Sequence, residues 1–149
     1  MAPTPQRDRR HRRSVRKLNT QYRGMRKTTD VLSFPFHDEL APGAAPDVVE
    51  DDDEDMLNLG DIVISMPYVA RKASKPEAVE SGPGVAAAMA PLDCVDGRVQ
   101  LLVIHGLCHL LNYDHETEDE FEEMAAVEDR LLAARAEWLA ERRGEGVGR

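Results

Sequence analysis

Little in this sequence is aromatic. Phe, Trp and Tyr together make up 5% of 149 residues, too few for a large stacking platform for bases or planar ligands. Cysteine is scarcer still. Cys94 and Cys108 are the only two, which excludes a disulfide-rich scaffold and favours a reducing, intracellular setting. Long apolar runs are missing as well. The longest, such as Leu101–Ile104 and Val85–Ala90, fall far below the roughly 18 residues that cross a bilayer, so no membrane partner is expected. Uniform charge is also lacking. The net charge of −9 argues against gripping nucleic acid by bulk electrostatics, but it averages two unlike parts. Residues 1–27 carry ten Lys/Arg against the single acid Asp8, a net of +9, and the remainder carries −18.

What is present reads as one domain, since domains usually run about 100–150 residues. Residues 1–13 are expected to form a disordered basic leader. They are Arg-rich and acid-poor like an organelle transit segment, without the apolar stretch of a secretory signal. Val15, Leu18 and Tyr22 share one face of a helix expected from Ser14, with Gly24 at its end. Val31 to Phe34, closed by Pro35, and Gly60 to Ser65 read as strands. Asp30 and Asp61, at the strand starts, read as turn or cap residues. Between the strands, residues 37–58 form a loop. Seven acids fall among its nine positions 47–55, a solvated block that lacks the spaced ligands and mid-loop glycine of a calcium loop.

Pro67 can open a short helix. Residues 74–97 read as a loop with one helical turn. Val99 to Leu111 is a buried helix. Thr117 to Arg143 is a long amphipathic one, with Thr117 and Glu120 at capping-box spacing. Its expected inner stripe is Phe121, Met124, Val127, Leu131 and Leu132, extended by Trp138. The domain is thus 14–143, with an acidic insertion at about 37–58 and a disordered tail at 144–149.

Three of the five histidines fall in eleven positions: His105, His109 and His115. The first two are i, i+4 on one helix, so their side chains share a face. Asn112 stands where that helix should stop, and asparagine tolerates the left-handed conformation that reverses a chain. Such a reversal swings His115 back toward the other two. Three imidazoles can hold a metal and leave a coordination position open for hydrolysis. Cys108 is a conceivable fourth ligand. It lies about 100° around the helix from His109, which suits core packing better.

The pattern H-x-x-x-H-x-x-N-x-x-H has the spacing of metzincin peptidases. Gly106, however, stands where those enzymes carry the glutamate base, so a metallopeptidase is disfavoured. The blocks Leu18 to Arg23 with Thr29 to Pro35, Leu59 to Ile64, and His105 to His115 together resemble the YbeY family of metal-dependent endoribonucleases. That family acts in rRNA maturation and ribosome quality control. The likeness covers about residues 15–140. Phe36 to Leu40 and the His105–Leu111 wording are most similar to its eukaryotic, organelle-associated members.

The sequence departs from the family at Asn112 (usually Gly), at Thr28 (usually Pro), in the longer acidic loop, and in the expected lack of the family's N-terminal strand, helix and strand. The resemblance implies an α+β, zincin-like single domain. Its small mixed sheet would pack against helices, with a metal site at the end of a buried helix. It further implies zinc on His105, His109 and His115, one per chain with other divalent metals open, and a catalytic arginine at Arg23. Asp114 would either orient a ligand imidazole or stand as an exposed turn residue. The implied partners are rRNA, the small ribosomal subunit and ribosomal proteins, in a mitochondrion, plastid or cytoplasm. A non-catalytic assembly factor and an inactive truncated product stay open as alternatives.

Overall fold

The computed structural model describes residues 5–46, 57–77 and 82–145. The acidic block 47–55, and the expected tail beyond Glu145, lie outside the described residues. The elements are α1 (Pro5–Arg23), β1 (Val31–Pro35), β2 (Gly60–Ile64), α2 (Met66–Ala73), α3 (Gly84–Met89), α4 (Val95–Leu110) and α5 (Glu118–Glu145). The domain is α+β, with a small sheet packed on helices.

α4 is the central element because its sequence is apolar almost all round. One side packs against both strands, the other against α3 and α5. Val31, Val69 and Leu102 form a buried cluster, joined by the half-buried Ile62, Ile64, Val95 and Val99. Leu101, Cys108 and Leu110 are buried along the same helix. α4 starts four residues before the expected Val99, and Arg98 explains how a charged residue is accommodated there. Its buried guanidinium donates from Nε to the Leu92 carbonyl at 2.7 Å and from Nη2 to the Ala90 carbonyl at 3.2 Å. A buried cation with both groups satisfied is tolerated.

The sequence reading expects a mixed sheet. Among the described residues the sheet has two strands, β1 and β2, and they are antiparallel. Val31 pairs with Ile64 and Pro35 with Gly60. A parallel pair would need a crossover that returns the chain to the same end of the sheet; here β2 runs back along β1. Asp30 acts as the turn residue expected of it, its Oδ1 accepting the Val31 amide at 2.9 Å.

α1 begins at Pro5 rather than Ser14, so the segment read as a disordered leader is helical from that point. Proline is well tolerated in the first helical turn, and the arginines that follow are good helix formers. The helix ends at Arg23 and is followed by Gly24 with φ +67°. Its final turn is pinned. The Tyr22 ring meets Phe34 of β1 edge-on at 5.1 Å, and Asn19 Nδ2 donates to the Lys27 carbonyl at 2.8 Å.

α5 opens on the expected capping box. Glu120 Oε2 accepts the Thr117 amide at 2.9 Å, and Thr117 Oγ1 accepts the Glu120 amide at 3.3 Å. Its buried face is rotated from the expected stripe. Met124, Ala125 and Glu128 are buried, Val127, Leu131 and Leu132 are half-buried, and Phe121 and Trp138 are exposed.

Candidate metal centre and cleft

His105 and His109 come from consecutive turns of α4. Asn112 then takes φ +64°, the left-handed reversal that its residue type permits. Three hydrogen bonds fix the reversal. The Tyr113 amide donates to the Cys108 carbonyl at 3.0 Å, the Gly43 amide to Leu111 at 2.8 Å, and Asn112 Nδ2 to the His37 carbonyl at 2.7 Å. The chain returns His115 to the other two. Its ring centroid lies 5.5 Å from that of His105 and 5.0 Å from that of His109. One ligand nitrogen from each of the three falls within 4.8 Å of the others.

The tautomers follow from what holds the far side of each ring. His105 Nδ1 donates to Glu128 Oε1 at 2.6 Å, and His109 Nδ1 donates to the Tyr113 carbonyl at 2.9 Å. Both Nε2 atoms are then lone-pair acceptors, and they face each other at 3.2 Å. Two lone pairs at that distance repel unless a cation, a proton or a metal ion, lies between them. The spacing is also close to the edge of a tetrahedron with metal–nitrogen bonds of about 2.0–2.1 Å, roughly 3.3 Å. His105, His109 and His115 therefore fit a metal ion.

Electrostatics agree. Burial, then the neighbouring His105 and His115, lower His109 from 6.5 to about 4, so the ring is neutral as a ligand must be. Burial, then the Glu128 charge, pushes the Cys108 thiol up to about 11. Cys108 is fully buried and protonated, which assigns it to the core and not to the metal.

The neutral form of His109 is favoured in the fold, while in the unfolded chain the imidazole takes a proton near 6.5. Its contribution to stability is full above 6.5 and is lost as pH falls toward 4. Metal-stripped protein is therefore expected to melt at falling temperature across that window, and His109→Asn is expected to flatten the slope. Glu128 titrates in a lower window, because its carboxyl lies below the ordinary 4.5. Burial pushes it up, but the hydrogen bonds from His105 and from the Val85 amide outweigh that. Thermal melts at a series of pH values check the assignment.

Glu128 is the residue that sequence reasoning missed. It is a buried acid on α5, 23 positions from His105. Its Oε2 accepts the Val85 amide at 2.7 Å while Oε1 holds His105. It also needs Gly84, where a Cβ would sit 2.5 Å from Oε2. The available signal is an acid four residues after Met124 on the buried face of an amphipathic helix, where an unpaired carboxylate would be costly. A carboxylate behind a metal-ligating histidine fixes the ring and raises its basicity. Glu128→Gln keeps the shape and removes the charge, so metal affinity is expected to fall about 10–100-fold. Competition with a chromophoric chelator measures it.

Gly106 lies on a different face of α4. A Cβ there would come within 2.9 Å of the Ile62 side chain, so the helix needs glycine to approach β2. The position that carries a base in metzincins points into the sheet contact.

Arg23, 86 positions before His109, shares a cleft with it. The cleft holds about 330 Å³ and is also lined by Ser33, Asp38, Asn112 and Asp114. Arg23 is exposed. Asp114 makes a turn contact, its Oδ1 accepting the His115 amide at 2.8 Å. That bond positions the His115 backbone and touches no ring.

The family model described as "Endoribonuclease YbeY" matches residues 10–136. An endoribonuclease YbeY of Alkalilimnicola ehrlichii is 42% identical over 121 residues, covering 79% of this chain and 56% of the relative. One from a Thermoanaerobacter species is 35% identical over 119 residues, covering 80% and 65%. One from Mycobacterium ulcerans is 38% identical over 124 residues, covering 83% and 57%. The chain thus spans less than two thirds of the length of these relatives.

Proposed function

Since the chain belongs to the endoribonuclease YbeY family, we propose that it is a metal-dependent, single-strand endoribonuclease acting in rRNA maturation and ribosome quality control. The observation that carries this reading is the pair of facing Nε2 atoms, 3.2 Å apart, in a histidine triad whose His109 lines the same cleft as Arg23. Zinc is the metal the ligand set favours, held by His105, His109 and His115. When bound, it would polarise a phosphoryl oxygen and lower the pKa of water.

The chain's own residues do the rest. Arg23 presents a planar fork that matches a phosphate and stabilises the extra charge of the transition state. Glu128 and the Tyr113 carbonyl hold His105 and His109 in the ligating tautomer. Asp114 fixes the turn that presents His115. The proposed partners are rRNA and the small ribosomal subunit, in a mitochondrion, a plastid or the cytoplasm. Among the described residues no helix is long and apolar enough to cross a membrane.

Cleavage of a single-stranded rRNA fragment by zinc-loaded protein tests the reading. Cutting should stop with a chelator, return with zinc, and spare the same sequence in a duplex. Protein that holds zinc and co-sediments with ribosomal subunits, yet never cuts, would instead support a non-catalytic assembly role.

A further inference from the structure

The histidine triad borders a second cavity of different character. It holds about 190 Å³ and is walled by His105 and His115, by Pro83 and Ala86, and by Phe121 and Met124 of α5. Its one carboxylate, Glu128, has both oxygens occupied by His105 and Val85. The lining therefore offers a ligand rings and carbon and no free acceptor from Glu128. The volume lies below the roughly 300–1,000 Å³ of pockets for drug-sized ligands, which suits one ring system.

Charge decides which part of a nucleotide enters. Phe121 is 42% exposed and stands among Glu118, Asp119, Glu120, Glu122 and Glu123 on the first turns of α5. Those carboxylates repel a phosphate, whereas the other cavity, which Asp38 and Asp114 also line, offers it the Arg23 guanidinium. A nucleotide has the matching asymmetry, an anion joined to a neutral flat base.

We infer that the cavity between α3 and α5 seats one unpaired nucleobase of the RNA, beside the phosphate held in the Arg23 cleft. The inference rests on the endoribonuclease reading and adds a specificity-determining residue, Phe121, whose ring the base meets. A base reaches such a pocket only when it is unpaired and turned out of its stack. Single-strand preference follows from that requirement. With stacking and no hydrogen-bond readout, the pocket tolerates every base.

The test moves one abasic nucleotide through a single-stranded oligonucleotide. For the wild-type protein, the lesion at one position next to the cut should raise KM about tenfold with kcat little changed. Phe121→Ala should raise KM for the intact oligonucleotide by a similar factor and abolish the penalty of the lesion, while Phe121→Tyr should behave as wild type. A lesion penalty that persists in Phe121→Ala, or wild-type KM in that variant, would overturn the inference. Wild-type protein that cuts no RNA would defeat the endoribonuclease reading alone. The pocket is then decided by NMR of the Met124 methyl. A shift with adenosine 5′-monophosphate, absent with ribose 5-phosphate and absent in Phe121→Ala, supports the base seat; equal responses overturn it.

Discussion

His109→Ala is expected to empty the metal centre. Wild-type protein should carry about one transition-metal ion per chain, as a three-imidazole site does, and the variant close to none. His109 contributes one of the two nitrogens that face each other at 3.2 Å. Its removal leaves His105 and the exposed His115. Losing an outer partner of a ligand costs about 10–100-fold in metal affinity, and losing the ligand itself costs more. The Tyr113 carbonyl also loses its donor, which loosens the turn that presents His115. Metal-dependent cleavage should vanish with the metal. Elemental analysis of the two purified proteins is the check, and equal metal content in both would sink the site.

Arg23→Ala should do the opposite, keeping the metal and losing the chemistry. Arg23 is exposed at the end of α1, whose last turn is held by Tyr22 on Phe34 and by Asn19 on Lys27. Folding and metal content should therefore match wild type. Removing one preorganised donor to a transition-state oxyanion costs about 10²–10³ in kcat. Single-turnover cleavage of an rRNA fragment should fall by that factor. Arg23→Lys should recover only part of it, because an ammonium supplies the charge without the planar fork. Unchanged cleavage in Arg23→Ala would remove Arg23 from the site.

The histidines of the first prediction are legible in the sequence for local reasons, whereas Arg23 came only from the resemblance to the family. The i, i+4 pair of α4 is set by helical periodicity. The return of His115 is set by one residue, Asn112, whose type accepts φ +64°. The capping box at Thr117, the strand closed by Pro35 and the helix opened near Pro67 are likewise local encodings. Each involves residues within a few positions of one another, where spacing alone fixes geometry.

The misplacements are equally physical. The inner stripe of α5 was expected on Phe121, Met124, Val127, Leu131 and Leu132; Met124 is buried as expected, but Ala125 and Glu128, which face Gly84 of α3, are buried beside it while Phe121 is exposed. Periodicity gives the width of an apolar face; the neighbouring element selects its centre. The start of α1 at Pro5 shows the converse. A run of arginines with no apolar partner reads as a solvated leader, yet its helix propensity is good.

By itself the sequence determined the histidine triad, the turn that closes it, the absence of a protease base at Gly106 and the order of the elements. Only the tertiary structure decided that Glu128 stands behind His105, that Gly106 faces Ile62, and that Arg23 opens on the same cleft as His109. It alone set an apolar cavity beside that cleft. Those pairings join residues 23, 44 or 86 positions apart, where no period or spacing constrains distance. They exist because the apolar surfaces of α4 must be covered on both sides, by the sheet on one and by α3 and α5 on the other. The net charge of −9 has a similar limit. It counts charges along the chain, whereas the fold sets Arg23 on one cleft with His109 and gathers acids on the first turns of α5.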